Sequence, residues 1–348
     1  MRAARDYGGG VVRIEDVDLP PILEDEVRIE VEWAGICGSD KHGYERKRLR
    51  STGTMGHEFS GAVVEIGDEV TGFKPGDRVV VNPLLVCGKC QNCLRGYHNL
   101  CENLVLFGVQ GEFGAFSEQT IVKDYMLTRI PDNLPFDIAA MTEPACIGAH
   151  ALRMSKFKPG DTVAVFGVGA IGLLLVSLLK ASGCLKIIAM ARTQSKLDLA
   201  KKLGADVVFN PDGPGGVELI KSLENSVDVA FELSEAQSSF DAAVTMLRGR
   251  GELVLVSLPG KPLELNIREA LHKEINFITS QCSNGEFPMV VEFLANGSMP
   301  VEDVITKRIF LDDLIEEGIE TLIKDSSQLK IMVTPKRENL LRASTASD

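Results

Sequence analysis

Six residues, Gly167-Val168-Gly169-Ala170-Ile171-Gly172, follow directly on the apolar run Asp161-Thr162-Val163-Ala164-Val165-Phe166 and lead into an apolar helical stretch through Lys180. A G-x-G-x-x-G placed between a strand and a helix leaves a chain few ways to fold. The first glycine permits the turn, the second lets a pyrophosphate approach the backbone, and the third lets helix pack on strand, with the helix N-terminus facing the phosphates. Further runs at Lys186 to Met190, Val207 to Phe209, Val227 to Glu232 and Leu253 to Ser257, with a helix from Lys196 to Leu203, keep the strand and helix rhythm going. The pattern predicts an α/β chain with a doubly wound parallel sheet that takes a dinucleotide.

The second strand run narrows the cofactor. Chains that bind NAD place an acid about 20 residues beyond the glycines, where it accepts hydrogen bonds from the ribose hydroxyls. This chain has Ala191-Arg192-Thr193 there. A guanidinium offers a 2′-phosphate a bidentate cation, with Thr193 and Lys196 as further contacts, so NADP(H) is favoured over NAD(H). The other reading of Arg192 is a guanidinium stacked on the adenine. Ser257 and Leu258, at the end of the later strand run, complete the expected cofactor contacts.

Ahead of this region, residues 1 to about 145 alternate as strands do. Val27 to Glu32 and Gly61 to Gly67 are candidates, and Lys74-Pro75-Gly76-Asp77 turns the chain into Arg78-Val79-Val80-Val81, which predicts a small, coiled β-domain. Within it, Cys37 in Gly35-Ile36-Cys37-Gly38-Ser39-Asp40 and His57-Glu58 after Gly56 supply a thiolate, an imidazole and a carboxylate. Held between glycine turns, they form a set suited to zinc with one position open. Ser39, two residues past Cys37, is placed to relay a proton from a ligand on the metal. Cys87, Cys90 and Cys93, followed by Cys101, put four thiolates within a short loop, two pairs of them at C-x2-C spacing, which predicts a closed structural zinc shell. An iron-sulfur cluster is the alternative, but Glu102 stands where that pattern expects proline. Glu143-Pro144 offers a further carboxylate to the first metal, or else a helix N-terminal acid, and Cys146 reads as a packed small residue.

Charge excludes some partners. The net charge is -12, and the longest basic run is Arg46-Lys47-Arg48, so nucleic acid and anionic membranes are not expected. The longest apolar run, around Ala170 to Leu179, is shorter than the roughly 20 residues a bilayer needs, and the N-terminus lacks a signal-peptide pattern. With no such signal, eight cysteines read as reduced thiols and metal ligands, and a cytoplasmic protein is expected. After about residue 281 the rhythm changes: Val301 to Ile309 and Leu329 to Val333 read as strands around a helical stretch near Asp312 to Ile323, and the polar tail after Pro335 as frayed.

Taken as a set, these motifs, Glu143-Pro144 included, resemble the zinc-dependent medium-chain alcohol dehydrogenase family over nearly the whole chain. Glu-Pro in place of that family's third-ligand cysteine is similar to the polyol branch, which includes sorbitol, threonine and butanediol dehydrogenases. Gly56-His57-Glu58-Phe59-Ser60-Gly61, Asn284-Gly285-Glu286-Phe287 and Val304-Ile305-Thr306 lean toward the butanediol enzymes. The resemblance implies a GroES-like catalytic domain over 1–146 and 281–348, a Rossmann domain over 147–280, and an active site in the cleft where they meet. It implies that Cys37, His57 and Glu58 hold the catalytic zinc with Glu143 as ligand or exchanging partner, while Ser39 and His42 conduct the proton outward. His42 also fits a plain surface histidine. The substrate implied is a secondary alcohol, a vicinal diol or polyol, interconverted with its ketone by a homodimer or homotetramer. The loop from Lys41 to Met55 and Gln281-Cys282 depart from the family pattern, so the substrate itself does not carry over. A sugar-phosphate or amino-alcohol dehydrogenase of the same family, a zinc-free double-bond reductase and a non-catalytic NADPH sensor on the same scaffold are the rival readings.

Overall fold

The computed structural model describes residues 1–47 and 53–345. Arg48 of the basic run, the middle of the loop from Lys41 to Met55 and the last three tail residues lie outside the described residues. Two compact units form: Met1–Glu143 with Phe287–Ala295 and Ile305–Asp348, and Pro144–Glu286 with Asn296–Val304.

The spine of the first unit is the ten-residue strand Glu26–Gly35, in which Val27, Ile29, Val31 and Trp33 are buried at every second position, the period of a pleated strand. One edge pairs antiparallel with Glu58–Ile66. The other takes Gln119–Lys123 along its first half and Lys330–Thr334 at its end. Register shifts at Arg28/Ile29 and Val31/Trp33 add the local twist that coils such a sheet. Val27, Ile29 and Val31 share one core with Phe59, Val79, Phe116, Ile331 and Val333, so residues more than 300 positions apart close the same barrel-like layer.

The second unit is a six-stranded parallel sheet in the order Val207–Phe209, Lys186–Met190, Thr162–Phe166, Val227–Glu232, Leu247–Leu255, Asn276–Thr279. Strand order reverses between Thr162–Phe166 and Val227–Glu232, which is where open α/β sheets take their ligands. Helix Ala170–Ala181 buries Gly172 through Leu179, as expected of a helix that packs on a sheet with nearly its whole circumference apolar.

Three local expectations shift. The strand expected over Leu253 to Ser257 ends at Leu255, because the next two backbone N–H groups, of Val256 and Ser257, both turn to the carbonyl of Glu232. Residues 302–304 form a 3-10 turn before the strand Ile305–Phe310. The tail expected to fray forms helix Arg337–Thr345, anchored where Asn339 donates to Glu32 and Lys336 Nζ meets Glu30 and Glu32. Among the described residues no helix is long and apolar enough to cross a membrane.

Candidate functional site

Cys37 comes just past the end of the spine strand and caps helix Gly38–Glu45. Its Sγ accepts from the Ser39 N–H at 3.5 Å, and its own N–H donates to Asp40 Oδ2 at 3.0 Å. This reciprocal cap fixes the thiol. Just before the facing strand Glu58–Ile66, Gly56 adopts φ +96, and a side chain there would collide with Phe116, so a glycine is required to deliver His57 and Glu58 into the interior. Glu58 pairs directly with Gly35. One ligand atom from each of Cys37, His57 and Glu58 then lies within 4.8 Å of the others.

The buried charges around this trio include one the sequence reading missed. Lys330 Nζ forms an ion pair with Glu58 Oε2 at 2.5 Å, the two side chains being 4% and 2% exposed, and also donates to the Ile36 carbonyl at 3.1 Å. A Cβ on Gly35 would strike Glu58 Oε2 and press on Lys330 Cδ, so this glycine makes room for the pair. Burial alone lowers the affinity of Lys330 for its proton, but Glu58, Cys37 and Glu143 raise it. The same opposition acts on His57: burial pulls it down, while the Cys37 thiolate, Asp40 and Glu143 hold it well above its ordinary value. Glu143 stands outside the 4.8 Å trio but within its electrostatic reach; burial pushes its carboxyl up to about 7, His57 opposing and Glu58 adding to the rise. One signal for Lys330 was in the sequence: a lysine set against Ile331-Met332-Val333 in a buried strand, where a charge requires a partner.

Among the described residues, His57 Nδ1 and Ser39 Oγ are buried here without a hydrogen-bond partner. Such orphans cost about 1–3 kcal/mol each unless a ligand completes them. A thiolate, an imidazole with an unsatisfied nitrogen and adjoining carboxylates are donors of the kind zinc takes, so the residues present fit that ion. His42 lies three residues past Ser39 in the same helix, a spacing that puts both on one face, and is half-buried.

The four cysteines also come together. The sulfurs of Cys87, Cys90, Cys93 and Cys101 all lie within 4.8 Å of one another, and none is in a disulfide. A tetrahedral shell with Zn–S of about 2.3 Å spaces its sulfurs about 3.8 Å apart, so small shifts close it. Backbone N–H groups of Cys90 and Cys93 donate to the preceding sulfurs, and Cys87 and Asn103 donate to Cys101 Sγ. N–H donors from Lys89 and Cys90 pull the Cys87 thiol down to about 6, whereas burial pushes Cys93 up to about 12. This set fits a structural zinc.

In the second unit the three glycines differ. Gly167 has φ +94, and a Cβ there would meet Leu233 and Ser234. One on Gly172 would strike the Gly167 carbonyl, and one on Gly169 would meet no protein atom within 4 Å. The open position is the one a pyrophosphate needs. Val168 is buried behind the turn, and Ala170 and Ile171 start the helix. Ala191 and Arg192 follow the strand Lys186–Met190; Arg192 is exposed, with its carbonyl taking a 3.5 Å bond from Asn210. Thr193 caps helix Gln194–Lys202 through its backbone alone, and Lys196 lies in that helix's first turn. Ser257 donates its hydroxyl to Glu232 Oε2, and Leu258 is 78% exposed.

Comparison with known proteins finds two family matches: residues 23–132 match the alcohol dehydrogenase GroES-like domain and 170–296 the zinc-binding dehydrogenase domain. The chain is 37% identical over 350 residues to the (R,R)-butanediol dehydrogenase of Bacillus subtilis (strain 168), covering 96% of this chain and 100% of that one. It is 33% identical over 346 residues to the sorbitol dehydrogenase of the same organism, covering 97% and 98%. The crystal structure of 2R,3R-butanediol dehydrogenase from Bacillus subtilis superposes with a TM-score of 0.88 at 36% identity, over 96% of this chain and 99% of that chain.

Proposed function

Because this chain belongs to the zinc-dependent medium-chain alcohol and polyol dehydrogenases, we propose that it interconverts a secondary alcohol, a vicinal diol or polyol of the 2,3-butanediol kind, and its ketone with a nicotinamide cofactor. The observation that carries this is the trio Cys37, His57 and Glu58, gathered within 4.8 Å beside the unpartnered Ser39 hydroxyl. Cys37 and His57 would hold the ion, with a carboxylate from Glu58 or Glu143 completing the set. When bound, zinc supplies Lewis acidity that makes a hydroxyl easier to deprotonate near neutral pH, and the nicotinamide accepts the hydride.

The rest falls to this chain's residues. Ser39 Oγ accepts the substrate's hydroxyl proton and passes its own on, and His42, on the same helix face, carries it outward. Lys330 keeps Glu58 paired, so that the fixed negative charge around the ion is reduced by one. Gly169 leaves the backbone open to the pyrophosphate, and helix Ala170–Ala181 directs its N-terminus at it. Arg192, with Thr193 and Lys196, supports NADP(H) over NAD(H). The functional division we adopt is a catalytic domain over 1–146 and 281–348 and a nucleotide domain over 147–280. Eight free cysteines favour a reducing, cytoplasmic setting, and a homodimer or homotetramer is expected by likeness to the family.

Steady-state rates with both cofactors on a panel of diols and polyols test the reading. We expect turnover of at least one vicinal diol, faster with NADP+, and a loss of about 10-fold or more in that preference for Arg192→Ala, the scale of one charge-assisted hydrogen bond. Zinc-replete protein inert toward every alcohol and ketone would refute the activity; unchanged preference in the variant would refute the role of Arg192.

A further inference from the structure

Glu232 is fully buried at the last position of its strand, a carboxyl the reaction itself does not use. Its Oε1 accepts from the Ser234 N–H at 2.7 Å and from Ser234 Oγ at 2.6 Å, and its Oε2 accepts from Ser257 Oγ. The Glu232 carbonyl takes the N–H groups of Val256 and Ser257, at 3.1 and 3.2 Å. One residue thus ties together the loops leaving two neighbouring strands, Val227–Glu232 and Leu247–Leu255. The glycine turn joins them, because Gly167 packs against Leu233 and Ser234 and the Leu233 N–H donates to the Phe166 carbonyl at 2.8 Å. All three loops lie at the carboxyl edge of the sheet, next to the reversal in strand order.

The hydrogen-bond chemistry is directional. A carboxylate has no proton to give, and a serine hydroxyl has one. The bond between Ser257 and Glu232 is therefore donated by Ser257, and what remains on its Oγ is lone pairs. The same holds for Ser234, whose Oγ, having donated to Glu232, accepts from the Ala236 N–H at 3.3 Å. A half-buried Ser257 in this state cannot bind a phosphate oxygen, which only accepts.

Resting on the nicotinamide reading of this unit, we propose that Glu232 is a positioning residue that locks the Ser257 hydroxyl as a hydrogen-bond acceptor for a donor group of the bound nucleotide, the nicotinamide carboxamide N–H or a ribose hydroxyl. Glu232 sets the polarity and Ser257 makes the contact. Replacing Glu232 by glutamine keeps the shape but supplies an N–H, which lets the hydroxyl reverse.

Titration of NADPH into the full-length protein by nicotinamide fluorescence tests this. Expected is a 5- to 20-fold weaker Kd for Glu232→Gln and for Ser257→Ala, no further loss in the double variant, and binding within 2-fold of the parent for Ser257→Thr, which keeps the hydroxyl. A merely structural role would weaken Ser257→Ala and Ser257→Thr alike and would add in the double variant. The 3-acetylpyridine analogue of NADP+, which lacks the carboxamide N–H, separates the donors: variant and parent binding it equally assigns the carboxamide, a persisting loss assigns the ribose. Kd values of Ser257→Ala within 2-fold of the parent for every probe would overturn the proposal, whether or not Glu232→Gln folds. A parent protein that binds neither NADPH nor NADH would instead overturn the nucleotide reading on which it rests.

Discussion

Replacing Lys330 by methionine removes the cation paired with Glu58. The two side chains are 4% and 2% exposed and 2.5 Å apart, so the carboxylate left behind has no access to water. Breaking a buried pair from one side costs about 3–5 kcal/mol, and the Ile36 carbonyl loses its 3.1 Å donor, worth about 1 kcal/mol more. Against a domain stability of about 5–15 kcal/mol this is a large fraction. The loss should depend on the metal, because zinc held at the proposed site would be a second counter-ion for Glu58. Lys330→Met should therefore lower the urea midpoint strongly in chelator-treated protein and much less in zinc-loaded protein, and Lys330→Met with Glu58→Gln should recover most of the metal-free loss. With Glu58→Gln alone added, these two variants and the parent form a double-mutant cycle. A metal-free loss below about 1 kcal/mol, or one as large with zinc as without it, would refute the reasoning.

Two further outcomes follow from other clusters. Burial on its own would raise Glu286, but the 2.9 Å contact with His150, the Asn284 N–H and Arg153 hold its pKa below the ordinary 4.5. A depressed carboxyl stabilises the fold above its unfolded pKa and loses that contribution as pH falls through the folded one, so Glu286→Gln should flatten the acid limb of stability below about pH 4.5, read by pH-dependent urea unfolding; an unaltered limb contradicts the pairing. For the cysteine lobe, Cys93→Ser should halve the zinc bound per chain and open residues 87–103 to limited proteolysis, since the metal's binding energy is part of the local folding energy. Full zinc content with unchanged cleavage would contradict that.

What the sequence made legible was local. The glycine turn and the four cysteines are defined by spacing over a few residues, and each glycine of Gly167, Gly169 and Gly172 meets the neighbour, or the empty space, that its place in the motif requires. Cys37, His57 and Glu58 were readable as a set because glycine turns flank both segments. Lys330 was not, since its partner is 272 residues away and strand alternation says nothing about which distant strand pairs with which. Glu232 was hidden for a related reason: it closes a strand run and looks like an ordinary terminal acid until Ser234 and Ser257 are seen on its two oxygens. The end of the strand at Leu255 and the helix at Arg337–Thr345 were misjudged because side-chain and carbonyl partners elsewhere in the chain, Glu232 in one case and Glu32 in the other, overrule local propensity.

The pairing of Glu26–Gly35 with Lys330–Thr334 has a consequence for the order of assembly during synthesis. Every residue of the second unit precedes Ile305, so the nucleotide sheet can emerge and fold while the first unit still lacks its closing strand. Contacts of such long sequence separation form late and slowly. Until Lys330 leaves the ribosome, Glu58 has no lysine to neutralise it, and a nascent chain stalled before that point should expose the apolar face of Val27, Ile29 and Val31 to chaperones.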